Sequence, residues 1–227
     1  MSIRYIDERA FAIHDKDYIQ YNHIHINCLP TRVRTSRGRR ANGENQTCRA
    51  GCNITETATH VIQNCFRTHG GRVLRHNAVY KILANGLRQK GYNVITEAKL
   101  WTIEGLKRPG ILAIKDGRAE IIDAQIISGS NSLNNTHNDK IRIYDKASVK
   151  AEVLKVYKVP EDRIRVSSCT ITWRWIWSSH SAEYFNETLK LPKELLTSLT
   201  TRVLQESHMN WTRWSQTTSR TPRQEIG

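Results

Sequence analysis

No stretch of this 227-residue chain approaches the ~18 consecutive apolar residues that a membrane-spanning helix needs, which excludes a helical membrane span. The opening segment, MSIRYIDERAFAIHDKDY, lacks the apolar centre of a secretory signal, so export is not expected. Cysteine is sparse and odd in number: Cys28, Cys48, Cys52, Cys65 and Cys169 are all there is, which argues against a disulfide framework. No internal repeat is visible, and apolar residues make up only 38% of the chain, so part of it is expected to face solvent or a charged partner. The scarcest property is negative charge. Asp and Glu total 21 against 35 Lys and Arg, a formal net charge of +14. Between Glu56 and Glu97 there is no acid at all, yet Arg67, Arg72, Arg75, Lys81, Arg88 and Lys90 all occur there. Such an imbalance suits a polyanion, and without a membrane signal nucleic acid is favoured over a bilayer surface.

What is present divides along the chain. Residues 1–47 read as a linker and basic arm, with a helix around Asp15 to Asn27 and then TRVRTSRGRR, whose Arg32, Arg34, Arg37, Arg39 and Arg40 have no acid among them. That run is either a solvated linker or a phosphate-binding arm. A small module follows at 48–69. Residues 72–90 carry apolar positions every three to four residues and stop at Gly91, which predicts a helix with one core face and one basic face. From 92 to 127 the pattern is that of strands, 137–159 returns to helix, and DRIRVSSCTITWRWIWSS alternates as a strand. In that strand Trp173, Trp175 and Trp177 are expected on one face, either as core or as a base-stacking platform. Residues 181–227 predict one or two helices, the second opened by Pro192, and a tail. This order of elements predicts an α/β core with a mixed sheet flanked by helices over 70–180.

Two clusters carry chemistry. The first is Cys48-x3-Cys52-x7-His60-x4-Cys65, three thiols and an imidazole within eighteen residues of polar sequence. They make a closed tetrahedral zinc set with no position left for water, so the expected role is structural; the competing reading is reduced core cysteines. His69 and His76 nearby read as surface or phosphate-contacting residues.

The second is KRPGILAIKDGRAEIID, residues 107–123, two strands joined by Asp116-Gly117, with a carboxylate, Asp123, at the end of the second. Phosphodiester cleavage by nucleases of the PD-(D/E)XK type uses a magnesium ion held by two carboxylates on adjacent strands, with a lysine close by. Asp123 suits the second carboxylate, and Gly110, thirteen residues upstream, stands at the first position. Gln125 takes the usual lysine position. Lys140 is a candidate replacement from a following helix, Tyr144 lies one turn after it, and Glu97 is an alternative ligand. Taken alone, the hairpin spacing favours a structural Asp123, capping or pairing within the sheet.

LPTRVRTSRGRR, the Cys/His cluster, the RPG…IID hairpin, Lys140…Tyr144 and CTITWRWIWS together resemble the C-terminal part of site-specific non-LTR retrotransposon polyproteins that insert into ribosomal RNA genes. There a Cys-Cys-His-Cys zinc knuckle precedes a restriction-like endonuclease domain of PD-(D/E)XK fold. The resemblance spans about residues 20–180 and includes no reverse-transcriptase motif. It implies a nuclear protein segment that grips double-stranded target DNA and nicks one strand to prime reverse transcription. It also implies the same polyprotein's polymerase domain, and element RNA, as partners. Asp123 would bind magnesium, Lys140 would be the catalytic lysine with Tyr144 in support, and zinc would sit on Cys48, Cys52, His60 and Cys65. Arg32, Arg34, Arg37, Arg39, Arg40, Arg49, Arg67, Arg72 and Arg75 would meet nucleic acid. Two departures stand out: Gly110 where the family has an aspartate, and Trp175 where a glycine is more usual. The first implies impaired nicking, and a non-catalytic nucleic-acid-binding module is the alternative.

Overall fold

The structure, a computed structural model, describes residues 15–36, 45–129 and 132–218. Its helices are α1 (Asp15–His25), α2 (Arg32–Thr35), α3 (His69–Gln89), α4 (Leu133–Tyr144), α5 (Ala147–Tyr157), α6 (Ser179–Glu183) and α7 (Lys193–Thr218). The strands are β1 (Asn93–Thr96), β2 (Leu100–Thr102), β3 (Gly105–Lys107), β4 (Ile111–Lys115), β5 (Arg118–Ile127) and β6 (Ile164–Thr172). One mixed sheet runs β1-β4-β5-β6, antiparallel except for the β5/β6 pair, while β2 and β3 make a separate hairpin. Parallel neighbours need a long crossover, and α4 with α5 supplies it. No helix among the described residues is long and apolar enough to cross a membrane.

The hairpin at the centre forms as its sequence predicts. Asp116 and Gly117 both adopt positive φ, 49° and 66°, the two-residue turn whose twist matches the flanking strands. β5 is buried from Ala119 to Ala124 because helices cover both faces of the sheet. Ile111, Ala113, Ile122, Ala124, Cys169 and Ile171 pack on one side with Val79 and Leu83 of α3 and Leu199 and Val203 of α7. Leu112, Ile121 and Ile164 pack on the other with Tyr144 of α4 and Val149 and Val153 of α5. The α3–α7 crossing is close: a Cβ on Gly86 would lie 2.2 Å from Leu195 Cδ2, so any larger residue there would have to displace the Leu195 side chain. The Cys/His segment belongs to the same core, because Cys48, Val61, Ile62 and Cys65 join the cluster that holds α3 and α7.

Two expectations need correction. The helix predicted over 137–159 is two helices, broken at Asp145 and Lys146, where the backbone is extended at Lys146 (φ −125°, ψ 145°). The break lets α4 lie along β6 while α5 packs against β2. The tryptophan run is not a continued strand either. β6 ends at Thr172, Trp175 turns the chain at φ 67°, and Trp177 bridges back to Ile171. That φ lies in the left-handed region, the physical reason a glycine would suit position 175 better. Burial holds the strained residue in place: Trp173 and Trp175 are buried, and Trp175 stacks on His25 of α1 at 4.3 Å. These rings are core, not a stacking platform.

Candidate functional site

The three thiols and His60 converge although they come from a turn, a loop and a short π-helical segment (His60–Asn64). Their ligand atoms all lie within 4.8 Å of one another, with Sγ–Sγ separations of 3.5 Å (Cys52–Cys65) and 4.0 Å (Cys48–Cys65). A tetrahedral zinc with bonds near 2.3 Å requires roughly 3.8 Å between sulfurs, and the two values bracket it. His60 is buried, and neither ring nitrogen has a hydrogen-bond partner. A buried imidazole without partners costs free energy unless something is bound to it. The donor set therefore fits zinc, which would supply structure rather than chemistry, since the four protein ligands complete its shell. Burial pushes the Cys48 thiol up to about 12, a state that metal binding would reverse by displacing the proton. Among the described residues this is the one group of three or more potential His, Cys or carboxylate ligands.

Glu56 is a residue of this centre whose role the sequence did not disclose. It is fully buried and takes a two-pronged contact from the Arg49 guanidinium, and its oxygens accept from the backbone N–H of Arg32 (2.9 Å) and Arg49 (3.0 Å). Arg49 also lies over the Trp214 ring at 4.8 Å.

Asp123 does not end its strand as expected: β5 runs on to Ile127 along β6, and Asp123 lies mid-strand, one residue past the last β4/β5 pair, where it is drawn toward two elements. Lys140 Nζ of α4 donates to Oδ2 at 2.8 Å, and the Tyr80 hydroxyl of α3 donates to Oδ1. Tyr80 in turn accepts from the Ala124 N–H at 2.8 Å. The Tyr144 hydroxyl of α4 donates to the Arg108 carbonyl at 3.0 Å. Burial first, and the Asp123 charge second, push the Tyr80 and Tyr144 phenols well above the ordinary tyrosine range, so both keep their protons. Lys140 keeps about a third of its side chain in solvent, so its ammonium is within reach of a bound anion. The Asp123, Lys140 and Tyr144 group expected from sequence is thus assembled. Gln125 is not free for chemistry: its amide donates to the Thr136 carbonyl (2.9 Å) and Thr170 Oγ1 (2.7 Å). Glu97 is exposed at φ 50°, and its N–H donates to the Gly110 carbonyl at 3.0 Å. Gly110 follows Pro109 one step beyond the last β4/β5 pair, Ile111–Ile122, and so comes opposite Asp123.

The arginines expected at nucleic acid separate into two sets. Arg34 and Arg67 are exposed, as are Lys81 and Arg88 along α3. Arg75 is instead buried, donating to Ser207 Oγ at 2.8 Å and to Gln63, and burial pulls its guanidinium down to about 9. Arg49 is committed to Glu56, Arg72 to the Cys65 carbonyl at 2.7 Å, and Arg32 to the Thr47 carbonyl at 2.9 Å. Arg75 is therefore a correction: as folded it holds α3 to α7 and is out of reach of a phosphate. Arg37, Arg39 and Arg40 lie outside the described residues.

The helix carrying Lys140 is anchored through a buried histidine. His137 Nδ1 shares a 2.8 Å hydrogen bond with Ser181 Oγ, which donates to the Ser168 carbonyl at 2.7 Å and accepts from the Thr170 N–H at 3.0 Å. Burial, reinforced by His180, lowers His137 to about 4, whereas an unfolded histidine titrates near 6.5. Between those values the unfolded chain binds more protons, so this contribution is complete above about pH 6.5 and is lost as pH falls toward 4. Allowing for partial solvent screening, the loss is on the order of 1–2 kcal/mol. Urea melts at pH 7.5 and pH 5 should show a smaller pH-dependent loss in His137→Gln than in the parent; equal losses would refute the assignment.

Against this geometry, known proteins align as follows. A retrovirus-related Pol polyprotein from a type-1 R2 retrotransposable element of Nasonia vitripennis is 38% identical over 222 residues, 98% of this chain and 22% of its own length. The Pol polyprotein of the type-2 element R2DM of Drosophila melanogaster is 38% identical over 168 residues, 74% of this chain and 16% of its own length. One from a type-1 R2 element of Bradysia coprophila is 35% identical over 212 residues, 93% of this chain and 24% of its own length. No protein-family model matches the chain. The chain spans 16–24% of the length of these curated relatives. By this homology the chain belongs with the R2 retrotransposon Pol polyproteins, aligning with one segment of each.

Proposed function

We propose that this chain is a DNA-gripping, restriction-like endonuclease segment of such a polyprotein, acting in the nucleus on target (ribosomal) DNA, and that its nicking centre is impaired. The observation that carries the reading is the buried Asp123–Lys140 pair on β5, just past the end of its pairing with β4, with Gly110 directly opposite. A divalent ion between two carboxylates would polarise the phosphate and activate a water. Here one carboxylate stands alone, its charge matched by Lys140. Zinc on the Cys/His centre would hold the DNA-facing surface in shape, and exposed Arg34, Arg67, Lys81 and Arg88 would meet phosphates. The polymerase domain of the same polyprotein and element RNA are the further partners this reading implies.

Two measurements test it. Binding of a ribosomal DNA duplex, followed by fluorescence anisotropy, should weaken by about 10³–10⁵-fold between 50 and 200 mM salt if some 6–10 phosphates are contacted. Affinity that is flat in salt would remove the polyanion reading, and preferential competition by element RNA would move it to RNA. Magnesium-dependent nicking of supercoiled plasmid should be marginal or absent in the parent, and DNA binding should persist in Asp123→Ala/Lys140→Ala; robust nicking by the parent would refute the impairment. A second reading, a binding module without catalysis, is favoured by the internal pairing of both Asp123 oxygens. It predicts no nicking to lose.

A further inference from the structure

We propose that Tyr80 occupies the seat of the missing metal-binding carboxylate, and that Tyr80 and Gly110 together close the space beside Asp123 to divalent cations. The inference rests on the endonuclease reading for the identity of the seat, while the closure itself is a matter of geometry. In antiparallel pairing, residues directly opposite each other project side chains on the same face. Any side chain at position 110 would therefore emerge beside Asp123. That space is taken: a Cβ built on Gly110 would lie 1.8 Å from Tyr80 Cε1, 2.0 Å from Cζ and 2.2 Å from the hydroxyl oxygen.

Gly110 is not there for its backbone. It is absent from the residues of positive φ, where Gly51, Gly91, Gly105 and Gly117 are found. What matters is that it has no side chain, because the phenol ring fills the volume one would need. The ring comes from α3, on the opposite side of the sheet from Lys140, and enters just ahead of the start of β4, beyond the last β4/β5 pair, where its hydroxyl meets the Ala124 N–H. Its hydroxyl satisfies that N–H at 2.8 Å and donates to Asp123 Oδ1, and Lys140 takes Oδ2 at 2.8 Å. Every role a cation would play at Asp123 is filled by a protein donor. The residues present do not fit magnesium, and no step is assigned to it.

The consequence is coupled. Restoring an aspartate at 110 alone must drive its Cβ into a planar ring with only two side-chain torsions, so the single change should neither pack nor bind metal. Removing Tyr80 alone opens space without a second ligand. Only both together rebuild a two-carboxylate site. The test uses the zinc-loaded 227-residue chain as Gly110→Asp, Tyr80→Ser, Tyr80→Ser/Gly110→Asp and Tyr80→Phe/Gly110→Asp, with manganese binding by calorimetry and magnesium-dependent plasmid nicking as separate readouts. The serine double variant should bind manganese at least about tenfold more tightly than the parent or either single variant, the lower end of what ligand-shell changes produce. The phenylalanine double variant keeps the ring and should bind no better than Gly110→Asp.

Manganese binding by Gly110→Asp alone as tight as in the serine double variant would overturn the inference and leave the endonuclease reading intact. A serine double variant that binds no better than the parent would overturn it also, as would full rescue by the phenylalanine variant. Manganese binding without nicking in the serine double variant supports the inference and counts against the endonuclease reading. Should the aspartate prevent folding, Gly110→Ala gives the same steric answer by melting temperature. It should be destabilising beside Tyr80 and nearly neutral beside Tyr80→Ser, and equal costs in both backgrounds would overturn the inference.

Discussion

Removing zinc is expected to unfold residues 48–68 and to loosen α7 with them. The segment has little core of its own. Its buried apolar residues, Ala58, Val61 and Ile62, contribute to a cluster whose other side is Leu199, Val203, Leu204, Trp211 and Trp214 of α7. Without metal, three thiols and an imidazole lacking partners sit in that interface, where polar groups are costly. Structural zinc sites supply about 10 kcal/mol or more of apparent binding energy at neutral pH, all of it folding energy if no site survives unfolding. Chelation with excess 1,10-phenanthroline should then lower the melting temperature by at least about 10 °C for a chain of this size. Hydrogen exchange should accelerate first at 48–68 and in α7, with β4, β5 and β6 protected longest. Cys65→Ala should reproduce the effect, because Cys65 is fully buried and its sulfur is close to both other thiols. One zinc per chain by elemental analysis is the accompanying expectation. A purified chain without zinc that melts at the same temperature as the loaded one would show that these cysteines are ordinary core residues.

How much of this could be read in advance depended on how local each interaction is. The zinc ligands fall within one short segment, so their spacing was enough to group them. The Asp116-Gly117 turn fixes the β4/β5 register by itself, and with it the opposition of Gly110 and Asp123. Lys140 was reachable because a crossover helix after a parallel strand must return across the sheet. Tyr80 was not legible. It sits within the regular apolar spacing of α3, where an aromatic reads as core, and it meets Asp123 forty-three residues later only because α3 packs beneath the start of β4. Arg75 misled for the same reason: composition counts its charge, while only the fold reveals Ser207 and Gln63 around it. The tryptophans alternate like a strand, but a left-handed residue at 175, stabilised by packing on α1, breaks the pattern. In each failure a distant packing partner overrode a local pattern.

Glu56→Ala is expected to be the most damaging single change that leaves every zinc ligand intact. The Glu56 carboxylate ties three elements: the start of α2 through the Arg32 N–H, the Cys48–Cys52 turn through the Arg49 N–H, and α7 through Arg49, whose guanidinium lies over Trp214. With alanine there, two backbone donors and one guanidinium lose their acceptor at once. Breaking a buried ion pair from one side costs about 3–5 kcal/mol, and the lower end applies because the Arg49 side chain remains 24% exposed. The turn that presents Cys48 and Cys52 would lose the anchor that orients it, so zinc affinity should fall by about 10–100-fold, as when groups behind metal ligands are removed. Glu56→Gln keeps an acceptor for one backbone N–H and should cost less on both counts. Arg49→Met/Glu56→Gln removes the charge pair together and should be milder than Glu56→Ala, because no unpaired charge is left behind. Urea melts and competition with a chromophoric zinc chelator separate the two effects. If Glu56→Ala stays within about 1 kcal/mol of the parent with unchanged zinc affinity, the carboxylate is a surface-grade pair and the turn holds its own shape.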